Sequence, residues 1–291
     1  MKSKNDAIFQ GIVYALTALV CIVTLYPLIY VLSASFSNPA RILGGDVVLW
    51  PVEFTLNSYK RVFASSDILT GYRNTLIYTA TGTTLNMIAT IMAAYPLSLP
   101  DLKGKNAITI FITFTMFFGA GMIPNYLNIK SLGLLNNPLV IIVPGAISVS
   151  NMLIMRNFFY AIPDALEEAA YLDGANQFTI LIRVILPLSL PSIATIAMFY
   201  AVSFWNAWFP GVMYLTDAKL VPVQNVMRTI IISATAALED MGVTIDDVQQ
   251  APTSHTLKCA SIVVTTLPIL CVYPFIQKYF VKGVMVGSVK G

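Results

Sequence analysis

Charged residues are scarce in this chain of 291 residues: they make up 11% of it, whereas 57% of the residues are hydrophobic. A soluble domain usually carries about 25% charged residues, so the apolar excess is larger than one water-soluble core requires. The composition therefore predicts a membrane protein that crosses the bilayer several times. The net charge of +3 is too small to indicate nucleic-acid binding.

Histidine and cysteine are rare as well. The single histidine, His255, lies in a polar stretch, and one histidine cannot build a histidine-based metal cluster. The three cysteines, Cys21, Cys259 and Cys271, lie in or beside apolar runs without CxxC spacing, which is typical of small core residues. The sequence also lacks a G-x-x-x-x-G-K-[ST] phosphate loop. We therefore expect no metal site, no cofactor and no ATP hydrolysis in this chain.

Six charge-free apolar stretches are long enough, or nearly so, to cross a bilayer, which takes about 20 residues. The first is too long for a signal peptide and has no A-x-A cleavage site, so we interpret it as a retained span. The predicted fold is all-α: one polytopic transmembrane domain over residues 1–291 with six transmembrane helices. The six spans are Ile12–Ala34, Thr75–Leu99, Ala107–Ile123, Pro138–Met155, Val184–Pro210 and Ala260–Gln277.

The basic residues indicate the orientation. Lys103 and Lys105 lie in the short loop between the second and third spans, and both tails carry lysines, so the positive-inside rule favours an N-in/C-in topology. Residues 35–74 and 211–257 then form long outer loops, and residues 161–183 lie in the cytoplasm. The second outer loop contains an acidic patch, interpreted as a solvated loop with a surface helix, or as a lid or a contact surface for an external partner. The patch consists of Glu239, Asp240, Asp246 and Asp247.

The inner loop after the fourth span contains the signals of a short helix, from about Asp164 to Asp173. Pro163 and Asp164 suit a first turn, and Gly174 suits a helix stop. Acidic side chains early in the helix are favoured by its dipole. One face carries Leu166, Ala169, Ala170 and Asp173, and its small alanines allow another surface to approach closely. Beyond the helix, Pro187 and Pro191 predict a bend at the start of the fifth span.

The spacing of this loop resembles the EAA loop of bacterial ABC importer permeases. The resemblance rests on Glu168-Ala169-Ala170, Asp173-Gly174-Ala175, Ile185-x-Pro187 and Pro191. Flanking motifs look like carbohydrate-uptake permeases of the maltose (MalG-like) type, in particular the LplC/YtcP-like subgroup associated with oligosaccharide or polysaccharide uptake. These motifs are Arg156-Asn157-Phe158-Phe159 and Phe204-Trp205-Asn206-x-Trp208.

The resemblance implies a type I ABC importer permease fold in the bacterial cytoplasmic membrane. It also implies a partner for each step: a second homologous permease, a cytoplasmic ATPase dimer that binds ATP and magnesium, and an extracytoplasmic solute-binding protein. The short helix would be a coupling helix that docks on the ATPase, with Pro187 and Pro191 as the hinge to the next span. The coupling residues implied are Glu167, Glu168, Ala169, Ala170, Asp173, Gly174 and Ala175.

Aromatic and amide side chains in the fifth span are candidates for the sugar path, because sugar rings stack on aromatics and sugar hydroxyls bond amides. A membrane-interface belt or a packed core is the other interpretation of the same residues, and the amphipathic shape of Tyr and Trp favours it. The candidates are Tyr200, Phe204, Trp205, Asn206 and Trp208, with Asn151 from the fourth span. A permease for a non-sugar solute is the alternative, and an ion-coupled transporter is disfavoured because no span carries a charge at mid-membrane.

Overall fold

The computed structural model describes residues 4–240, 255–271 and 274, and within those residues the regular structure is entirely helical. Asp246 and Asp247 lie outside the described residues. The predicted sixth span, Ala260–Gln277, is described as far as Cys271, and beyond it only residue 274 is described. The interpretation of the acidic patch therefore stays a prediction.

The described residues contain fourteen helices. In chain order they are α1 (Lys4–Ser35), α2 (Pro39–Leu43), α3 (Asn57–Ala64), α4 (Ser66–Ser98), α5 (Lys105–Phe117), α6 (Met122–Ser131), α7 (Leu139–Ile142), α8 (Val149–Tyr160), α9 (Asp164–Leu172), α10 (Gln177–Leu188), α11 (Leu190–Trp205), α12 (Phe209–Tyr214), α13 (Val223–Asp240) and α14 (His255–Cys271). A π-helical turn over Leu181–Ile185 lies inside α10.

Two of the described helices, α1 and α4, are long and apolar enough to cross a membrane, and they cover the first two predicted spans. Two further pairs meet the same criterion only if each bent pair counts as one span. These are α5 with α6, bent by 112°, and α10 with α11, bent by 84°. The described helices thus give up to four spans by length and composition, and the count of six and the orientation stay predictions.

Three predicted spans differ from the helices that are observed. Pro138–Met155 is not one helix, because α7 ends after four residues and α8 begins only at Val149. Pro144 explains the break, since proline donates no backbone hydrogen bond and disfavours helix at the preceding residue. Likewise α5 ends at Phe117 rather than Ile123, at a glycine-containing break. The predicted span Val184–Pro210 bends sharply at Ser189 and ends as a helix at Trp205.

The described residues fall into two compact units. The first contains residues 4–68, 226–240 and 255–268. Its small core joins Ala34, Ile42 and Val47 to Cys259 of α14. Arg41 of α2 pairs with Glu53 at 2.7 Å, and this hydrogen bond lowers the pKa of the Glu53 carboxyl.

The second unit contains residues 69–225 with 269–271 and 274, and it carries all the candidate site residues. Its core is formed by apolar side chains of α4, α8, α10 and α11 that are almost completely buried. They include Ala94, Met152, Met155, Ile185 and Ile196. This core fixes the ends of the broken segments that surround the site.

Candidate substrate cavity and coupling helix

The second unit encloses a cavity of about 650 Å³ between α4, α6, α7, α8, α11 and α12. Four amide side chains and several aromatic rings face it, together with aliphatic side chains. No charged residue is found among the described residues that line it. The polar and aromatic lining consists of Asn86, Asn125, Asn128, Ser148, Asn151, Phe199, Tyr200, Ser203, Phe204, Phe209 and Tyr214.

Asn86 of α4 is the most deeply buried of these amides, with only 2% of its surface exposed. Its Nδ2 donates a hydrogen bond of 2.8 Å to the carbonyl oxygen of Gly145, in the break between α7 and α8. A carbonyl can only accept, so this bond fixes which end of the amide is which. Sequence reasoning missed Asn86, although a lone amide within an apolar span was the available signal.

Tyr200 of α11 holds the broken segment against α4. Its hydroxyl accepts a hydrogen bond of 3.0 Å from the backbone N–H of Ser148 and lies 2.7 Å from the Thr90 hydroxyl. Ser148 in turn caps α8, where its side chain accepts from the N–H of Asn151. Tyr200 therefore presents a ring to the cavity, while its hydroxyl is occupied by protein partners.

The six predicted path residues do not all meet. Tyr200, Phe204 and Asn151 line the main cavity, and their place on a substrate path stays a prediction. Asn206 and Trp208 line a second cavity of about 560 Å³, which shares Phe199, Phe209 and other walls with the first. Trp205 lines neither: it is 6% exposed, and its ring lies 6.2 Å from the ring of Tyr72.

The short helix α9 begins and ends close to the predicted residues. Pro163 precedes it, and it ends at Leu172 with Asp173 as the cap. Gly174 then adopts a left-handed conformation with φ of +81°. Its N–H bonds the carbonyl of Tyr171 at 2.9 Å, and the N–H of Ala175 bonds that of Ala170 at 3.0 Å. This pair of bonds is the Schellman motif, which satisfies carbonyls that a helix end otherwise leaves open.

Of the predicted face of α9, Leu166, Ala169 and Asp173 are exposed. Ala170 is partly buried and packs against the core. Ala165, Glu168, Ala169 and Leu172 are also exposed, and the exposed fraction of Leu172 is 90%. These positions follow i, i+3, i+4 and i+7 spacing and therefore share one face. Glu167 is half-buried, and burial together with nearby Asp164 raises the pKa of its carboxyl.

A chain of hydrogen bonds joins α9 to α4. Gln177, at the start of α10, donates to the Tyr171 hydroxyl, and the Tyr95 hydroxyl of α4 donates to Gln177 Oε1 at 2.5 Å. The Tyr95 ring also meets the ring of Phe159 edge-on, with centroids 6.3 Å apart. Tyr95 thus contacts the segments before and after α9, a role that its place inside an apolar span did not reveal.

The described residues form helices only, with broken spans, a polar cavity and a capped, exposed short helix, an arrangement that fits a membrane permease subunit. Residues 1–286 match the family of binding-protein-dependent transport system inner membrane components, and the chain belongs to this family. Its place in the cytoplasmic membrane follows from that membership. The resemblance to carbohydrate-uptake permeases is confirmed by relatives over nearly the whole chain.

Two of these relatives come from Bacillus subtilis (strain 168). The chain is 39% identical to the polygalacturonan/rhamnogalacturonan transport system permease protein YtcP over 99% of this chain and 100% of that protein. It is 41% identical to the protein LplC over 92% and 90% of the two chains. It also resembles the trehalose/maltose transport system permease protein MalG of Thermococcus litoralis, at 26% identity over 94% of each chain.

Solved structures agree with the fold. A chain of a bacterial ABC transporter involved in the import of the acidic polysaccharide alginate superposes with a TM-score of 0.85. It is 36% identical and covers 96% of this chain and 99% of its own length. A second chain, from an alginate ABC transporter in complex with an alginate-loaded periplasmic protein, gives a TM-score of 0.58 at 15% identity over 94% and 93%, and this likeness shows the fold alone.

Proposed function

We propose that this chain is the permease subunit of an ATP-driven importer for oligosaccharides, with fragments of acidic polysaccharides as its cargo. The observation that carries the proposal is the main cavity, in which amides and aromatic rings face one space of about 650 Å³. That volume lies within the roughly 300–1,000 Å³ that small-molecule sites occupy. The named relatives with uronate-rich cargoes suggest the acidic class.

The lining suits the uncharged parts of a sugar. Aromatic faces such as those of Phe199 and Phe209 stack on CH surfaces, and the amides of Asn125, Asn128 and Asn151 can donate to and accept from hydroxyls. A carboxylate placed here would lose its hydration without meeting a cation, which is costly. We therefore expect the cationic contacts to come from the second permease, with this chain reading hydroxyls and ring faces.

A neutral oligosaccharide is the second candidate, and the uncharged lining is the observation that favours it. The two are separated by uptake into proteoliposomes that contain the assembled transporter and its binding protein. Oligogalacturonides would be compared with the same oligomers after methyl esterification, which removes the charge and keeps the ring. Faster uptake of the free acids supports the acidic cargo, whereas preference for the esters or for maltooligosaccharides supports the neutral one.

The exposed face of α9 would dock on the cytoplasmic ATPase, which drives transport. We expect Leu172 and the alanines beside it to insert into a groove of the cytoplasmic ATPase, because an almost fully exposed leucine on a short capped helix is a natural anchor. Glu168 lies on the same face, and Gly174 turns the chain back at its end. Hydrolysis would take place in the partner, whose motion carries α9 with it and switches the permease between two states of access.

The same proposal assigns the remaining partners. A binding-protein-dependent system delivers cargo from outside the cell, so the loops opposite α9 would receive an extracytoplasmic solute-binding protein. A second, homologous permease would complete the sugar path. The two permeases would dock on the two subunits of the ATPase dimer. Leu172→Asp tests the docking surface: the transporter should lose its ATPase from the membrane, as measured by co-purification, while this chain still inserts. Full retention of the ATPase would refute docking through this face.

A further inference from the structure

One face of α4 carries buried polar oxygens that find no hydrogen-bond partner among the described residues. They are Thr79 Oγ1, Thr83 Oγ1 and Asn86 Oδ1. With Gly82, these residues follow i, i+3, i+4 and i+7 spacing, so they share one face over two turns. We call this set the α4 stripe. Buried polar groups in native proteins are almost always bonded, so three on one face require an explanation.

The threonines of the stripe differ from their neighbours on the same helix. Thr81 and Thr84 are exposed, and each donates to the carbonyl four residues before it, at 2.7 and 2.8 Å. Thr79 and Thr83 could form the same local bond, yet they point their hydroxyls elsewhere. The open acceptor of Asn86 is equally well defined, because its nitrogen is held by Gly145.

Phe204 covers the middle of the stripe. Its ring lies so close to Gly82 that a Cβ placed there would come within 2.5 Å of Phe204 Cζ. Only glycine leaves room for the ring at this position. Phe204 and Asn86 both line the main cavity, whereas Thr79 and Thr83 are not among the residues that line it.

We propose that Phe204 is a gate over an occluded polar extension of the substrate site. When α11 moves during transport, the ring leaves its seat on Gly82. Thr79 and Thr83 then join Asn86 at the cavity, and the three side chains bind sugar hydroxyls through oxygens that the closed state leaves unused. The inference rests on the proposed transport of a sugar, and it adds a second, state-dependent part to the binding site.

The gate can be tested without any cargo, by thiol accessibility in the full transporter held in nanodiscs. Thr83→Cys would be introduced after the three native cysteines are replaced by serine, and a membrane-impermeant thiol reagent added. Labelling of the introduced cysteine should be slow when Phe204 is present and at least about tenfold faster with Phe204→Ala or Gly82→Ala, because either change removes the ring from its seat. A tenfold change corresponds to about 1.4 kcal/mol in the free energy that favours the closed state. Equal rates with and without the ring would overturn the gate.

Thr84→Cys is the matched control, because Thr84 is adjacent in sequence but outside the stripe. Its labelling should not respond to either substitution. If it accelerates equally, the helix as a whole has loosened and the gate is refuted. Two independent ways of unseating the ring guard against a variant that fails to fold.

The role of the stripe in cargo binding has its own test. Thr83→Val removes an unsatisfied hydroxyl, so the resting subunit should be as stable as before or more so. Uptake of the cargo should nevertheless fall, by roughly 2- to 12-fold, which corresponds to one neutral hydrogen bond. Thr84→Val should leave uptake unchanged, and unchanged uptake in Thr83→Val would reject binding by the stripe. If the wild type transports no sugar at all, the proposed function fails, while the thiol result still reports on the gate.

Discussion

Gly174 provides a quantitative test of the coupling helix. Its φ of +81° lies in the left-handed region, and a Cβ built there meets no atom within 4 Å. Substitution should therefore act through backbone strain and not through a clash inside this chain. A left-handed conformation costs an ordinary residue about 1–2 kcal/mol, whereas asparagine adopts it more readily. That cost corresponds to a factor of about 5–30 in the population of the ordered turn.

The expected order of uptake is wild type, Gly174→Asn, Gly174→Ala and Gly174→Val, from highest to lowest. Valine is last because its β-branch makes positive φ hardest to reach. The assay is cargo uptake together with cargo-stimulated ATP hydrolysis in proteoliposomes, with the amount of inserted subunit measured for each variant. Retained insertion with lost uptake would place the defect in coupling.

The competing explanation is that the open space around Gly174 is filled by the docked ATPase. In that case side-chain size would decide, and asparagine would be more damaging than alanine. An uptake for Gly174→Asn below that of Gly174→Ala would therefore refute the strain argument. Equal uptake in all four proteins would show that the Schellman turn is dispensable for transport.

Further substitutions test the hydrogen bond between Tyr95 and Gln177, the charge of Glu167 and the packing of Trp205. Tyr95→Phe removes the hydroxyl that donates to Gln177, so sugar moved per ATP hydrolysed should fall while insertion is unchanged, and an unaltered ratio would argue against the connection. The pKa of Glu167 is raised in the folded state, so the folded protein binds this proton more tightly than the unfolded chain does. The protonated carboxyl therefore stabilises the fold fully at pH values below the usual carboxyl pKa, and this contribution is lost as the pH rises through the raised pKa. Glu167→Gln should accordingly increase hydrogen-exchange protection of α9 at pH 7 and flatten its pH dependence, and lower protection would contradict this. Trp205→Ala should cost about 3–5 kcal/mol of stability without changing cargo preference, whereas the more exposed Trp208→Ala should melt close to the wild type.

Local chemistry made parts of the molecule predictable. Pro163, Gly174 and the paired prolines around Ser189 each restrict the backbone by themselves, so the position of α9 and the bend before α11 could be anticipated from the sequence. The apolar runs of α1 and α4 were equally clear. Pro144 carried the same kind of information, but the apolar run around it concealed the break between α7 and α8.

The cavity and the connections were harder to predict because they depend on which distant residues meet. Asn125 and Asn128 enter the cavity only because the chain turns by 112° between α5 and α6. Trp205 and Asn206 are adjacent in sequence, yet one is buried and the other lines the second cavity. The face of α9 that packs inward is likewise decided by the surrounding core and not by the helix itself.

The proposed coupling and the proposed gate meet on α4. Tyr95, bonded to the segment after α9, and Asn86, at the cavity, are nine residues apart on this helix, or about 13.5 Å at 1.5 Å per residue. The proline inside α4, Pro96, lies beyond Tyr95 and not between the two residues. The turns from Asn86 to Tyr95 therefore keep their backbone hydrogen bonds. Thr90, between the two, is bonded to Tyr200 on the same helix as Phe204.

A displacement of α9 would therefore reach Asn86 through a nearly rigid rod and reach Phe204 through the Thr90–Tyr200 bond. Thr90→Val should break the second route alone: stimulated ATP hydrolysis would persist while Thr83→Cys no longer becomes accessible during turnover.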